Sequence, residues 1–452
     1  MDYDELIARQ RKQLMTSLPP VMERLGWTAE ELAAKRQGSL RELLAWAKER
    51  SPFYRERLAG INPAIFTEAD LPSLPALTKD EMMANFDAIV TDPRLTLAMA
   101  DEHIGRLTSD AYLLDTYRAL ATGGSTGRRG VFVYGWDEWI TLAQQQVRWR
   151  LRSAGSVPSE PLIIASLLAE KASHLGRAIS ALLANPAQPP VSSFPITLPL
   201  AEVVAGLNAT QPTALLGYPS ALDVLTEEAR GGRLSISPKR VVTAGEVLTE
   251  DTRDRVGQVW RVEVEDWWGA TEGVHAIPCG AGRAMHWPDD MVIIEPVDEH
   301  GKPVPAGVPA AKILITNLYN LTQPLIRYEI TDELTLLDEP CPCGCAHRRI
   351  ANITGRQDDL FRYDGGIVVH PVVFRSPLGR DRTVIEYQVT QTPRGAAITV
   401  RSDGDGGLES LRQQIITDLT KAGLTDPEVT VTKVDSVARL PTGKLRRFIP
   451  LE

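Results

Sequence analysis

The chain has 452 residues, 43% of them hydrophobic and 24% charged, with a formal net charge of −9. That length and apolar content suffice for a large core spread over two or three domains. The acidic balance, with Lys and Arg scattered along the chain, excludes nucleic acid or an anionic membrane as the main partner. No run of about 18 apolar residues occurs, and Met1-Asp2-Tyr3-Asp4-Glu5-Leu6 lacks a charged-then-apolar leader, so a cytoplasmic protein is expected.

In chain order, Leu40, Leu43, Leu44 and Ala47 recur at i, i+3, i+4 and i+7 and predict an amphipathic helix stopped by Ser51-Pro52. The first hundred residues read as mainly helical. Residues 117–130, Tyr-Arg-Ala-Leu-Ala-Thr-Gly-Gly-Ser-Thr-Gly-Arg-Arg-Gly, form a glycine- and hydroxyl-rich loop that runs into the strand-like Val131-Phe132-Val133-Tyr134. Glycines let a backbone approach an anion, and Thr122, Ser125, Thr126, Arg128 and Arg129 add donors and charge, which suits a phosphate chain. The loop is not a Walker A motif, and alone such a stretch is more often a turn. From about residue 120, β-branched runs at Leu162-Ile163-Ile164-Ala165, Arg240-Val241-Val242-Thr243 and Ala311-Lys312-Ile313-Leu314-Ile315 alternate with helical patterns, predicting an α/β body.

All four cysteines lie between Cys279 and Cys345, a clustering that points to metal rather than to a disulfide framework. Cys279, His286, Cys341 and Cys343 offer three thiolates and an imidazole, a tetrahedral structural zinc set. Cys345, His275 and His347 are rival ligands, and four metal-free thiols are the plainer alternative. After Gly355 the pattern shortens. Strands at 367–369, 383–391 and 396–400 surround a helix carrying Leu408, Leu411, Ile415 and Leu419 on one face, which predicts a separate small α+β domain.

Five segments then follow in order: Gly245-Glu246; Trp268-Gly269-Ala270-Thr271-Glu272; Arg327-Tyr328-Glu329-Ile330-Thr331-Asp332; Gly355-Arg356-Gln357-Asp358-Asp359; and Leu440-Pro441-Thr442-Gly443-Lys444. With the glycine-rich loop, their order resembles the core motifs of the adenylate-forming superfamily. Ser51-Pro52-Phe53-Tyr54-Arg55 and Leu74-Pro75-Ala76-Leu77-Thr78-Lys79 resemble its phenylacetate-CoA ligase-like branch, so the resemblance covers essentially the whole chain. It implies a large N-terminal α/β adenylate-forming body, with a helical part at 1–100 and an ATP- and acid-binding core at 101–357. A small mobile C-terminal α+β cap follows at 358–452.

The implied activity is ATP-dependent conversion of a carboxylic acid, aromatic by the resemblance, into its acyl-adenylate, followed by transfer to a thiol such as coenzyme A. Transfer to a carrier protein or an amine, and a non-catalytic nucleotide- or zinc-binding protein, are the alternatives. The resemblance assigns Thr122, Gly123, Gly124, Ser125, Thr126 and Gly127 to the ATP phosphates, Glu272 to Mg²⁺ and Thr271 to the α-phosphate. It assigns Gly245, Glu246, Trp268 and Gly269 to the nucleotide, Asp332 to both ribose hydroxyls and Arg356 to further nucleotide contact. Asp358 becomes the hinge of the cap, and Lys444 the cation that stabilises the adenylation transition state. Some members of the branch carry zinc, and members are often homodimers. Trp136, His174, Ser220 and Gly245 are acid-pocket candidates by position alone.

Two departures stand out. Arg129-Gly130 replaces the family's Pro-Lys or Pro-Thr. The segment Phe361-Arg362-Tyr363-Asp364-Gly365-Gly366-Ile367-Val368-Val369-His370-Pro371 reads one residue longer than the family's Arg-Gly-Val-Asn-Val-Phe-Pro, with Asp364 near its usual arginine. That segment borders the thiol's approach, so adenylation is the better supported half-reaction.

Overall fold

The computed structural model describes residues 2–122, 130–154, 162–168, 173–184, 191–195, 198–356, 360–369, 371, 373–374, 377–378, 381, 383–402, 407–439 and 445–451. The chain divides into two compact units made of interleaved segments. One comprises 1–161, 170–188 and 266–354, and the other 162–169, 189–265 and 355–452.

The first unit opens with helices. Ala29–Arg50 begins at a capping box, in which Thr28 accepts from the Glu31 amide and the Glu31 carboxylate accepts from the Thr28 amide. Its buried face is Leu32, Leu40, Leu43, Leu44 and Ala47, and extended backbone at Ser51 ends it just before Pro52 starts the next helix. Leu40, Leu43, Leu44 and Ala47 join one core with Phe132, Trp139, Trp287, Ile315 and Tyr328. Strands Arg118–Ala121 and Val131–Tyr134 form an antiparallel hairpin whose last pair is Ala121 with Val131. Strands Val292–Val297, Lys312–Asn317 and Tyr328–Ile330 form a three-stranded antiparallel sheet. The segment 264–270 pairs antiparallel with Val274–Pro278, bringing Trp268 opposite Ala276, and Val274–Pro278 in turn pairs with Met285–His286.

The second unit contains a parallel sheet in the order Ser192–Ser193, Ile164–Leu167, Ala214–Gly217, Arg240–Ala244. Its core gathers Leu167, Leu207, Leu215, Leu222, Val241 and Val256 from these strands and the helices between them. Alternating strands and helices produce this layering because parallel neighbours need crossover connections. The last hundred residues add a four-stranded sheet ordered Glu428–Lys433, Gly395–Ser402, Val384–Thr392, Phe448–Ile449. Helix Leu408–Lys421 belongs to the same core through Leu411, Ile415 and Leu419. Among the described residues, no helix is long and apolar enough to cross a membrane.

Candidate active site

In the first unit, the glycine-rich loop closes the Arg118–Ala121/Val131–Tyr134 hairpin. At its base the Thr122 amide donates to the Gly130 carbonyl and the Gly130 amide to the Thr122 hydroxyl, both at 2.9 Å. Gly130 stands where the family carries a side chain. A Cβ there would lie 2.9 Å from the Phe132 ring and 3.2 Å from Lys79, so the position has no room for one. Gly123, Gly124, Ser125, Thr126 and Gly127, with Arg128 and Arg129, lie outside the described residues.

Trp268 and Gly269 sit on the strand Val264–Ala270, whose half-exposed pattern differs from the fully buried Val274–Pro278 beside it. The Trp268 indole N–H donates to an Asp332 carboxylate oxygen at 2.8 Å, and Asp332 is otherwise buried. The motif Trp268–Glu272 and Asp332, far apart in sequence, therefore meet in one site.

The turn Thr271-Glu272-Gly273 is held carbonyl by carbonyl. The Tyr134 hydroxyl donates to the Thr271 carbonyl at 2.6 Å, the Asn317 amide to that of Glu272 at 3.0 Å, and the Tyr319 hydroxyl to that of Gly273 at 2.7 Å. Gly273 has φ +93°, and a Cβ there would overlap the Asn317 amide and fall 2.5 Å from the Tyr319 hydroxyl. Glycine is required here on both counts. Tyr328 is buried nearby, and burial followed by the Glu272 charge pushes its pKa up.

Behind them, the buried Glu138 carboxylate accepts from the amides of Gly135, Leu321 and Thr322 at 2.5, 2.8 and 2.7 Å. Burial pushes its pKa up to about 7 against the pull of those donors. Sequence reasoning passed over Tyr134, Glu138, Asn317, Tyr319 and Tyr328. Trp136, offered as a pocket residue, is engaged by the N-terminal helix: its indole donates to Gln13 at 2.8 Å and Tyr112 stacks on it.

In the second unit, Gly245 has φ +79° and aims Glu246 at two backbone donors. One Glu246 oxygen accepts from the Leu445 amide at 2.7 Å and the other from Ser220 at 3.2 Å. Arg439 donates to the Ser220 hydroxyl at 3.1 Å and pairs with Glu386. Both chain segments that flank Lys444 are thus tied to the start of helix Pro219–Arg230. Arg356 ends the strand Arg349–Arg356, while Asp358 and Lys444 lie outside the described residues. The longer segment after Leu360 is a hairpin, with Phe361 opposite Val369 and the turn at Asp364-Gly365-Gly366, where Gly365 has φ +80°.

The cysteine cluster is compact. The ligand atoms of Cys279, His286, Cys341 and Cys343 all lie within 4.8 Å of one another. The Cys279 and Cys341 sulfurs are 3.5 Å apart, and the Cys343 sulfur is 3.6 Å from His286 Nε2. A tetrahedron with the usual zinc bond lengths has edges of about 3.8 Å between sulfurs and about 3.6 Å from sulfur to nitrogen. Two of the pairs already stand at such edges, and the donor set fits zinc.

His286 Nδ1 lies 2.7 Å from the His347 carbonyl, which sets Nδ1 as the protonated nitrogen and leaves Nε2 for the sulfurs. Trp149 stacks on the ring at 4.9 Å. Burial pushes the Cys279 thiol up, as it does Cys345. For Cys343 burial is outweighed by the Cys345 amide and by hydrogen bonds from Cys341 and Arg152, which bring its thiol down.

Of the rivals, His347 has both ring nitrogens engaged, Nδ1 by the Asp289 amide at 3.2 Å and Nε2 by the Arg24 carbonyl at 3.3 Å. Cys345 packs with Trp149 and Ile277. His275 does not join the cluster, and burial pushes its pKa down to about 3.

No known family's sequence profile matches the chain. Phenylacetate-coenzyme A ligase of Thermus thermophilus is 26% identical over 457 aligned residues, covering 93% of this chain and 97% of the relative. Protein CapK of Staphylococcus aureus is 22% identical over 363 aligned residues, covering 77% and 74%. Among solved structures, 2-hydroxyisobutyryl-CoA ligase in the postadenylation state with 2-HIB-AMP has a TM-score of 0.73 at 21% identity, covering 94% and 91%. The fold is that of the adenylate-forming enzymes. The likeness to phenylacetate-coenzyme A ligase runs nearly end to end along both chains.

Proposed function

We infer that the chain is an AMP-forming acid–thiol ligase that activates a carboxylic acid with ATP and passes the acyl group to coenzyme A. An aromatic acid is the substrate class favoured by the relative named phenylacetate-coenzyme A ligase. The observation that carries this reading is the Trp268–Asp332 hydrogen bond, which brings the Glu272 motif and Asp332 together.

In the first half-reaction a substrate carboxylate oxygen bonds to the α-phosphorus of ATP while the bond to pyrophosphate breaks. Such a step depends on positioning and on donors fixed where charge accumulates. Asp332 accepts from both ribose hydroxyls and Trp268 lies along the nucleotide. The Thr271 hydroxyl donates to the α-phosphate, and Thr122 with the glycines after it cradles the β- and γ-phosphates. Lys444 supplies positive charge to the pentavalent phosphorus. Glu272, a hard oxygen donor, would hold the Mg²⁺ that accompanies the phosphates, and that ion would supply further positive charge. In the second half-reaction the thiol sulfur bonds to the acyl carbon and AMP leaves. Cys279, His286, Cys341 and Cys343 would hold a structural zinc, since four protein ligands leave no position open to substrate.

ATP–pyrophosphate exchange with a panel of aromatic and short aliphatic acids tests this reading. Acid-dependent exchange that falls by at least about a hundredfold in Glu272→Ala is expected. Coenzyme A-dependent AMP release should then follow. Exchange without such release would transfer the acceptor role to a carrier protein or amine, and no exchange with any acid would sink the ligase reading for that panel.

A further inference from the structure

The second unit holds a cavity of about 250 Å³ that shares no residue with the Glu272–Asp332 site. That is the volume of about eight waters, room for a small organic acid. Part of its lining is apolar: Leu200 and Val203 come from helix Leu200–Thr210, and Val224 and Leu225 from helix Pro219–Arg230. The rest is charged. Glu386 and Arg401 stand opposite each other on neighbouring strands of the four-stranded sheet, and Arg439 joins them. The buried Glu386 carboxylate accepts from Arg401 Nε at 3.2 Å on one oxygen and from Arg439 on the other. One carboxylate therefore serves two guanidinium groups. Arg401 Nη2, also buried and also on the cavity's lining residue, has no hydrogen-bond partner among the described residues.

A guanidinium has five N–H donors and no acceptor, and a charged donor buried without an acceptor is costly. Water could satisfy that donor but would wet the apolar wall; a molecule with a hydrocarbon body and an anionic end satisfies both. We propose that this cavity is a binding site for a short amphiphilic monocarboxylate, whose carboxylate accepts from Arg401 Nη2 and whose chain lies on Leu200, Val203, Val224 and Leu225. The wall supplies affinity by removing hydrocarbon from water, and Arg401 supplies selection for an anion. Asp435 also lines the cavity, but it is exposed, so water screens its charge. The inference is independent of the roles given to Glu272 and Asp332.

Titration of the full-length protein with hexanoate, hexanol and hexylammonium, followed by saturation-transfer NMR, reads both parts of the site. The wild type should bind hexanoate at least about tenfold more tightly than hexanol, with hexylammonium weakest. Arg401→Leu should erase the preference for hexanoate over hexanol while hexanol still binds. Val224→Phe, which fills the cavity from its apolar side, should remove the binding of both, and it carries the test if thermal melts show Arg401→Leu poorly folded. Hexanol bound as tightly as hexanoate by the wild type overturns the inference, and so does the absence of saturable hexanoate binding. Hexanoate binding undiminished in folded Arg401→Leu and Val224→Phe places the acid elsewhere in the molecule and overturns it equally.

Discussion

Trp268 occupies a position where the superfamily usually carries tyrosine, and its indole N–H gives the position a bond that a phenyl ring cannot make. A hydrogen bond to a carboxylate contributes on the order of 1.5–3 kcal/mol. Trp268→Phe should therefore raise the KM for ATP about tenfold while leaving kcat within about twofold, which steady-state kinetics at saturating acid would show. His275 makes a pH prediction of definite sign. Its pKa in the folded state is pushed down to about 3 from an ordinary 6.5. Below pH 6.5 the unfolded chain therefore binds a proton that the folded chain refuses. Stability is full above pH 6.5 and should fall by up to about 1.4 kcal/mol per pH unit as pH drops toward 3. Thermal melts from pH 7 to 4 would show the slope, flattened in His275→Gln. Single residues differ in how legible they were. Glu272 and Asp332 announced themselves in short motifs. Tyr134, Asn317 and Tyr319, which hold the Glu272 turn, are ordinary residues whose role exists only after the elements that carry them have met.

The Thr271-Glu272-Gly273 turn shows how an element can be specified by side chains from elsewhere. Three donors fill the space around Gly273, so Gly273→Ala adds a methyl both to a left-handed backbone and to an occupied volume. A loss of about 2–4 kcal/mol is expected. It would be read as a lower unfolding midpoint, with pyrophosphate exchange reduced further than the melt alone explains. Element types were largely legible: the helix through Leu40–Ala47, the strands near 164, 240 and 312, and the helix after Leu408 all lie within a few residues of their expected places. Hydrophobic period fixes an element locally. Register across strands was not legible, and register is what brings Trp268 opposite Ala276 and Ile277 opposite His286.

At the scale of the molecule, chain order concealed how the units are built, because each gathers segments separated by a hundred residues or more. The cysteine cluster, by contrast, lies within one of those segments, 266–354. Its candidate ligands were legible because only four cysteines exist. The choice of His286 over His347 was not, since it rests on which ring nitrogens the fold has already engaged. Elemental analysis should find about one zinc per chain. Cys341→Ser should release it and lower the melting temperature by roughly 5–10 °C. The 3.5 Å between the Cys279 and Cys341 sulfurs has a redox consequence. It exceeds a disulfide bond by only about 1.5 Å, so an ion shared by the pair also acts as a protecting group. Prolonged chelation in air should convert the two thiols to a crosslink, visible by non-reducing mass spectrometry as the loss of two hydrogens, and zinc should then fail to return. The same treatment under a reductant should remain reversible.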